Sequence, residues 1–374
     1  MKIFLVGGGT GGPTAPVLSV AQALRRMDDK TEFFFIGTKN GLEKKLLSDM
    51  EFPVTELTIP AGKWRRYFSL LNFTDLFKLI GGFFKSIYLI RKYSPDAIFG
   101  AGSFVQVPVA WAGYFLKIPV IVHQQDFDIL LSTRLVFPTA KIITTAFSYS
   151  GSQMDAFSGL LKKEKKSKIV VTGNPVRKNT LKGSKEEAKK LFSLRSDLPT
   201  VLIMGGGAGS AKINALVADA LPELTRYVQI IHITGGKAPK TPLQNYPEYH
   251  PYAFLGKELA HAFAAADLVV SRGGMSTITE IGALGKPSIL IPLPKSQQID
   301  NVRFLAGVGA AIGVPEQLLT SKLLVEAVRK ILWNPDLQKS LSEMALRLMP
   351  RDADVQIAKQ IFKFKKTDIH NGNQ

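Results

Sequence analysis

The chain has 374 residues, of which 45% are hydrophobic and 21% are charged. This composition excludes wholesale disorder, and the length predicts two or three domains. The absence of cysteine excludes disulfide scaffolds and thiol nucleophiles, and five histidines disfavour a multi-histidine metal cage. The 48 Lys and Arg exceed the 30 Asp and Glu, giving a net charge of +18, which predicts a phosphate-bearing metabolite, an anionic membrane or a nucleic acid as partner.

The first apolar run is short and leads directly into glycines. Residues 2–6 (KIFLV) read as a buried strand and are too few for the roughly 7–15 residues of a signal-peptide core. No run reaches the roughly 18 apolar residues of a membrane-spanning helix. The sequence therefore predicts a cytoplasmic protein and leaves attachment to a membrane surface open.

Apolar runs of strand length alternate with helical patterns along the chain, which is typical of α/β folds with parallel sheets. A helix is predicted from Thr14 to Met27, and the region after Thr320 is predicted to be helical. The predicted strands form two series, 2–6, 32–36, 97–99, 120–123, 142–145 and 169–172, then 200–204, 229–233, 268–271 and 288–291.

Each series opens with an apolar strand, a glycine-rich loop and a helix. This repetition predicts two Rossmann-like domains with parallel sheets that face each other across a cleft. The predicted domains are 1–165 and 166–350. Residues 351–374 are predicted to form a helix and tail that pack back toward the first domain.

Both glycine loops suit phosphate groups. Residues 7–12 (GGGTGG) and 205–210 (GGGAGS) let the backbone approach a phosphate at a helix N-terminus, although structural glycines in a tight turn remain an alternative. A dinucleotide enzyme would carry an acid at the end of its second strand. That strand continues as FIGTK at 35–39, which disfavours a nicotinamide or flavin enzyme.

The most specific string is DLVVSRGGMSTITE at 267–280, followed by QQIDN at 297–301. With HQQD at 123–126 and TGNPVR at 172–177, it resembles the MurG-type glycosyltransferases. That family has the GT-B fold and transfers N-acetylglucosamine (GlcNAc) from UDP-GlcNAc to undecaprenyl-pyrophosphoryl-MurNAc-pentapeptide during peptidoglycan synthesis. The resemblance implies inversion at the transferred sugar, with attack by the acceptor C4 hydroxyl. It implies no required cofactor or metal ligand, and leaves room for a non-essential Mg²⁺.

The resemblance also implies that the domain 1–165 binds the acceptor and a membrane, and that the domain 166–350 binds the donor. The helix that starts after Arg272 would bind the diphosphate at its N-terminus, as the dipole and free N–H groups favour. Glu280 would accept the ribose hydroxyls, and Gln297 and Gln298 would contact the sugar. The expected substrate-binding residues are Thr10, Gly11, Gly12, Asp126, Arg177, Gly207, Gly256, Arg272, Met275, Ser276, Thr277, Ile278, Thr279, Glu280, Gln297 and Gln298.

The catalytic base is where this chain departs from the family pattern. The family's glycine loop continues into a histidine, but Pro13 stands here and cannot carry a proton. The family's His-Glu-Gln-Asn is His-Gln-Gln-Asp, ending at Asp126. We hypothesise that Asp126 replaces the missing base, because a partly desolvated cleft would raise its pKa; contact with the acceptor alone is the alternative. His123 is the second catalytic candidate, or a structural histidine at a strand end.

A basic and aromatic stretch precedes a predicted helix over 75–92 with Thr74 as its N-cap. Its broad apolar face includes Leu76, Ile80 and Phe83, and lysines lie opposite. This pattern is typical of elements that bind anionic membranes, although burial by neighbouring elements is the alternative. The residues expected to bind the membrane are Trp64, Arg65, Arg66, Phe68, Phe73, Phe77 and Phe84.

The resulting hypothesis is a peripheral enzyme at the cytoplasmic face of the cell membrane. Its partners would be UDP-GlcNAc and lipid-linked MurNAc-pentapeptide. The alternatives are a GT-B glycolipid synthase with another lipid acceptor, and a pseudo-enzyme that binds UDP-GlcNAc without turnover. A nucleic-acid partner is disfavoured, because the sequence has no RNP motif or basic recognition helix.

Overall fold

The computed structural model describes residues 1–8, 11–39, 43–48, 50–62, 71–149, 169–206, 209–236 and 245–366, with only the backbone at 11, 43–45 and 71–74. The chain divides into two compact units. The first contains Met1–Gln125, Ile129–Pro175 and Asp352–Gln374, and the second contains Asp126–Asp128 and Val176–Arg351. The sequence predicts a boundary after residue 165, whereas the observed division follows Pro175.

The first unit is built on seven parallel strands. They are β1 (Lys2–Val6), β2 (Glu32–Gly37), β3 (Val54–Thr58), β4 (Ala97–Gly100), β5 (Val120–Gln124), β6 (Ile142–Thr145) and β7 (Ile169–Val171). Their order is β3-β2-β1-β4-β5-β6-β7, so the chain leaves β1 in one direction and returns to its other side at β4. This reversal is the topological switch point of a Rossmann-like sheet.

Helices cover this sheet because its central strands are buried along their length. They are α1 (Gly11–Met27), α2 (Glu43–Ser48), α3 (Leu71–Tyr93), α4 (Gln106–Phe115) and α5 (Leu131–Val136). α1 begins three residues before the predicted start. α3 begins four residues before the predicted 75–92, so the expectation that Thr74 is an N-cap is wrong; Thr74 lies inside the helix.

The second unit repeats the plan with six parallel strands. They are β8 (Thr200–Met204), β9 (Gln229–Ile233), β10 (Tyr249–Tyr252), β11 (Leu268–Arg272), β12 (Ser288–Ile291) and β13 (Ile312–Gly313). The order β10-β9-β8-β11-β12-β13 places the switch point between β8 and β11. Leu202 and Val269 are register partners there.

Several helices of the second unit begin at a residue whose side chain caps the first turn. They are α6 (Lys185–Leu191), α7 (Ala211–Leu224), α8 (Leu259–Ala265), α9 (Met275–Ala283), α10 (Gln298–Gly307), α11 (Ser321–Leu332) and α12 (Pro335–Leu348). Thr320 accepts a hydrogen bond from the Leu323 N–H at 3.1 Å, and Asn334 accepts one from Leu337 at 3.0 Å. Pro335 occupies the first position of α12, where no intrahelical N–H is needed.

The last helix, α13 (Ala353–Phe362), belongs to the first unit. Ile357 and Ile361 are fully buried in the core that α1 forms with the sheet. The Asp354 carboxylate accepts a 2.9 Å hydrogen bond from Arg26 on α1. The chain therefore returns to its first unit after the second is complete.

Candidate functional site

The loops after β8 and β11 form the switch point of the second sheet, where open α/β sheets bind ligands. The β11 loop is Gly273-Gly274, and Gly274 is the N-cap of α9. Since Gly274 has no side chain to accept from the first turn, the N–H groups of that turn can bind an anion. Gly206 and Gly209 in the β8 loop have φ values of 84° and 68°, which glycine adopts readily.

Arg272 joins these two loops from the end of β11. Its side chain is 8% exposed, and its guanidinium donates to the Ser210 hydroxyl at 2.7 Å. It also pairs with the Glu316 carboxylate at 2.5 Å. Ser210 is the N-cap of α7 and accepts from the Ile213 N–H at 3.3 Å. Arg272 therefore fixes the geometry of the switch point, with its guanidinium turned toward protein partners.

Glu280 lies on α9 and is 3% exposed. Its Oε1 accepts from Arg177 Nε at 2.6 Å and from the Thr180 hydroxyl at 3.0 Å. A terminal nitrogen of Arg177 also lies 2.5 Å from Oε1. A buried carboxylate with a cation and a hydroxyl on one oxygen is held in a fixed orientation. The structure thus brings together two residues that the sequence motifs indicate separately, Arg177 and Glu280.

The first turn of α9 presents backbone more than side chains. Met275, Ile278 and Thr279 are buried, and the Thr279 hydroxyl donates to the Met275 carbonyl at 2.7 Å. Ser276 and Thr277 are half-buried. Of this predicted set, the side chains of Ser276 and Thr277 and the N–H groups are the parts that can reach a ligand.

The two predicted glutamines lie at the start of α10. Gln297 is its N-cap residue and is half-buried. The Gln298 side-chain oxygen accepts from the Leu293 N–H at 3.0 Å, and its amide nitrogen lies 3.9 Å from where a Cβ on Gly274 would stand. Gln298 is therefore beside the N-terminus of α9. Gly256 lies on an exposed loop before α8, and its N–H donates to the Glu258 carboxylate at 2.9 Å.

Asp126 is held by Asn301 of α10. The Asn301 amide donates to Asp126 Oδ1 at 2.9 Å and accepts from the Phe127 N–H at 2.8 Å. Phe127 stacks on Phe304 with ring centroids 4.1 Å apart. Burial raises the pKa of the Asp126 carboxyl above its ordinary value, the hydrogen bond from Asn301 opposes that shift, and the charge of Asp128 adds to it. A raised pKa is the property required of a carboxylate base.

His123 is fully buried at the end of β5. Its Nδ1 lies 3.0 Å from the Thr144 hydroxyl, and its Nε2 lies 2.9 Å from the Asn174 side-chain oxygen. Burial lowers the pKa of His123 to about 4 despite these bonds. The ring is therefore neutral at physiological pH with both nitrogens engaged, which favours the structural interpretation of His123 over the catalytic one.

Two predicted phosphate-loop positions, Thr10 and Gly207, lie outside the described residues. Gly11 and Gly12 begin α1, and Pro13 follows in its first turn. At the switch point of the first sheet, the Ser103 hydroxyl donates to the Gly8 carbonyl at 3.1 Å. Within the described ranges, no three His, Asp or Glu side chains lie close enough together to hold a metal ion.

Four side chains shape this site without having been predicted from the sequence, namely Thr180, Ser210, Asn301 and Glu316. Asn301 ends the QQIDN string, and Ser210 ends the second glycine loop, so both carry a local signal. Thr180 and Glu316 carry none, because each meets its partner through the fold at a large sequence separation.

An exposed apolar surface, here called the aromatic surface, lies on α3, α4 and α5 of the first unit. Phe83 of α3 packs edge-on against Phe115 of α4 with centroids 5.8 Å apart. Trp111 of α4 donates to the Leu135 carbonyl of α5 at 3.1 Å. The exposed members are Leu76, Phe77, Ile80, Phe84, Tyr88, Tyr114, Phe115, Leu131 and Leu135.

Of the predicted membrane residues, Phe77 and Phe84 are 72% and 63% exposed. Trp64, Arg65, Arg66 and Phe68 lie outside the described residues, as does the side chain of Phe73. On the predicted apolar face of α3, Leu76 and Ile80 are exposed, whereas Phe83 is half-buried against Phe115. Burial by neighbouring elements therefore accounts for only part of that face. Within the described residues, no helix combines the length and apolar character needed to cross a bilayer.

Known protein families match two separate parts of the chain. Models of the glycosyltransferase family 28 N-terminal and C-terminal domains match residues 3–145 and 200–361. The UDP-N-acetylglucosamine--N-acetylmuramyl-(pentapeptide) pyrophosphoryl-undecaprenol N-acetylglucosamine transferase of Legionella pneumophila (strain Paris) is 34% identical over 90% of each chain. The enzyme of the same name from Treponema denticola is 36% identical over 83% of this chain and 82% of that one.

Solved structures share the fold. MurG of Acinetobacter baumannii is 23% identical with a TM-score of 0.72, over 97% of this chain and 99% of that one. The glycotransferase of kitacinnamycin is 12% identical with a TM-score of 0.73, over 97% and 98%. The predicted GT-B fold is thereby confirmed. Because relatives are 34–36% identical across most of the sequence, this chain belongs to the MurG family of glycosyltransferases, as the motif strings predicted.

Proposed function

We propose that this protein transfers GlcNAc from UDP-GlcNAc to the C4 hydroxyl of lipid-linked MurNAc-pentapeptide, with inversion at the transferred sugar. The observation that carries this proposal is the buried Glu280 on α9, the helix whose N-terminus lies at the switch point of the second sheet in a MurG-family chain. The helix N-terminus supplies N–H groups for the diphosphate, and the carboxylate supplies an acceptor for ribose hydroxyls. Charge on the departing UDP would be stabilised by these amides.

Asp126 is the proposed base in place of the family histidine that Pro13 replaces. Burial raises the pKa of the Asp126 carboxyl, and the Asn301 amide holds the carboxylate in place, which supports its assignment as the base. His123 is proposed to act only by fixing the end of β5, because both ring nitrogens are engaged. Positioning and leaving-group stabilisation would supply the rest of the rate.

The proposed location is the cytoplasmic face of the membrane, where a lipid-linked acceptor resides. The aromatic surface supports this, since contiguous exposed aromatics flanked by basic residues bind anionic bilayers. Lys85 and Lys117 are exposed on α3 and after α4. The net charge of +18 adds long-range attraction to anionic lipid.

The test offers radiolabelled UDP-GlcNAc with lipid-linked MurNAc-pentapeptide, with diacylglycerol, or with water. We expect product with the first acceptor alone. Product with diacylglycerol alone would indicate the glycolipid synthase, and UDP-GlcNAc binding without product would indicate the pseudo-enzyme. Glu280→Gln should lower kcat/KM at least about tenfold, because a charged acceptor is lost. Glu326→Gln, on the exposed face of α11, is the matched control and should leave kcat/KM unchanged.

A further inference from the structure

All three donors that reach the Glu280 carboxylate converge on one oxygen. Two come from Arg177 and one from the Thr180 hydroxyl, and all meet Oε1. In the described part of the chain, no hydrogen bond reaches Oε2. Since each carboxylate oxygen offers about two lone pairs, Oε1 is saturated by protein and Oε2 keeps its acceptor capacity for a ligand.

Thr180 differs from Arg177 in what it can touch. Arg177 is 44% exposed along its side chain and is itself expected to contact the donor. Thr180 is 6% exposed, and its hydroxyl is directed at Glu280. Its influence on a ligand would therefore pass through the carboxylate alone.

Hydrogen bonds connect the turn that carries Thr180 to Arg351 and, through Arg351, to the end of α9. Thr180 lies in a short 3-10 helix, Lys178–Lys182, and its N–H donates to the Arg177 carbonyl at 3.0 Å. Lys178 Nζ donates to the Arg351 carbonyl at 2.6 Å, and Arg351 Nε donates to the Ala283 carbonyl at the end of α9 at 2.7 Å. The hydroxyl of a β-branched residue on this turn has little rotational freedom.

We propose that Thr180 is a positioning residue, which holds Glu280 through Oε1 so that Oε2 faces the ribose hydroxyls of the nucleotide. This inference rests on the proposed function. It assigns part of the selectivity for a ribonucleotide to a residue that does not touch the ligand. A carboxylate with one oxygen anchored loses less rotational entropy when it binds a diol.

The experiment measures the Kd of UDP and of 2′,3′-dideoxy-UDP by calorimetry for the wild type, Thr180→Val and Thr180→Ser. The wild type should prefer UDP at least about tenfold, since a hydrogen bond to a charged group is lost in the dideoxy ligand. Thr180→Val should raise the Kd of UDP about three- to tenfold and leave the Kd of dideoxy-UDP within about twofold of the wild-type value, because only the orientation of the carboxylate changes. Thr180→Ser should restore wild-type affinity.

The inference would be overturned if Thr180→Val weakened the binding of both ligands equally or changed the binding of neither. In that case the donor site would still stand, provided that the wild type binds UDP. If the wild type binds UDP and dideoxy-UDP with equal affinity, the role of Glu280 in binding the ribose hydroxyls is refuted as well. If the wild type binds neither, the proposed function fails with it. Thermal unfolding of each variant accompanies the titrations. Thr180→Ala replaces Thr180→Val if the valine variant does not fold, with the same expectations.

Discussion

At the residue scale, Asp126 is the base that we propose in place of the family histidine. A base accepts a proton only when it is ionised, so turnover should fall as the pH drops through the pKa of Asp126. Burial places that pKa above its ordinary value of 3.8. The acidic limb of the pH–rate profile should therefore lie at a higher pH than an exposed aspartate would produce.

Asp126→Asn should lower kcat about 10²- to 10⁴-fold, which is the contribution of a general base. Binding of UDP-GlcNAc should be unchanged, because the asparagine oxygen still accepts from Asn301. The measurements are steady-state transfer and calorimetry over a pH series. Asp128→Asn, which removes the exposed neighbouring charge, is the control and should retain turnover at neutral pH, with its acidic limb moved to lower pH because that charge helps to raise the pKa of Asp126. Full turnover in Asp126→Asn would refute the assignment of the base.

His123 makes stability depend on pH. Its pKa is about 4 in the folded protein, against 6.5 for an unperturbed histidine, so between these values the unfolded chain binds a proton that the folded protein does not. The free energy of unfolding therefore falls as pH decreases from 6.5 toward 4, by roughly 3 kcal/mol if the full difference applies. His232 adds a similar dependence in the second unit, since burial lowers its pKa to about 4 as well.

The check compares thermal unfolding of the wild type and His123→Gln at pH 7 and pH 5. The wild-type midpoint should fall with pH, and the variant, which has no proton to gain at this position, should fall less. Parallel pH dependence in both proteins would contradict the burial-based explanation of this histidine.

At the element scale, the N-terminus of α9 depends on two glycines with different surroundings. A Cβ on Gly273 would lie 2.5 Å from Val302 Cγ2 and 3.1 Å from the Gln298 carbonyl oxygen. A Cβ on Gly274 would have Gln298 Nε2 as its nearest neighbour at 3.9 Å. The first position is therefore closed to any side chain, whereas the second has room for a methyl group.

Gly273→Ala should cost about 1–3 kcal/mol of stability through overpacking and should weaken UDP binding, because α9 must shift away from α10. Gly274→Ala is the matched control and should unfold at the wild-type temperature. Thermal unfolding and UDP titration measure both effects. A Gly273→Ala protein with wild-type stability and wild-type UDP affinity would show that the contact does not hold α9 in place.

The aromatic surface on α3 should bind membrane without supporting the fold. Phe77→Ser combined with Phe84→Ser should release the protein from anionic vesicles, and its stability should change by no more than about 0.5 kcal/mol, as for other exposed positions. Leu346→Ser, at a 40% exposed leucine on α12, is the control and should leave vesicle binding intact. Undiminished vesicle sedimentation by the double variant would refute the role of α3.

The strands that the sequence did not predict lie at the edges of the two sheets. β3 (VTELT) is mostly exposed, β10 (YHPY) contains Pro251, and β13 has two residues. Edge strands are short and polar because one side faces away from the sheet, and proline is tolerated there. A search of the sequence for apolar runs therefore finds central strands such as β1 and β8 and misses these edge strands.

The candidate site likewise has residues that the sequence predicts and contacts that it does not. Motif strings identified Glu280 and Arg177 because both lie within continuous patterns. The pairing of their side chains, and the third partner Thr180, depends on bringing α9 against the 178–182 turn. The partners of Arg272 likewise follow from the order of β8, β11, β12 and β13. No local pattern encodes such contacts.

At the scale of the whole molecule, both units have the same arrangement of a glycine loop at the switch point of a parallel sheet. Physical chemistry alone would allow a nucleotide at either loop. We place the nucleotide in the second unit, because Glu280 and the open N-terminus of α9 are there. The first unit carries the aromatic surface instead, which suits a lipid-linked substrate.

A crystal structure of the protein with UDP-GlcNAc tests this placement most directly. We expect the ribose hydroxyls within hydrogen-bonding distance of Glu280 Oε2 and the diphosphate against the first turn of α9. Nucleotide bound instead at residues 7–12 of the first unit, or bound in the second unit without contact between Glu280 and the ribose, would contradict it.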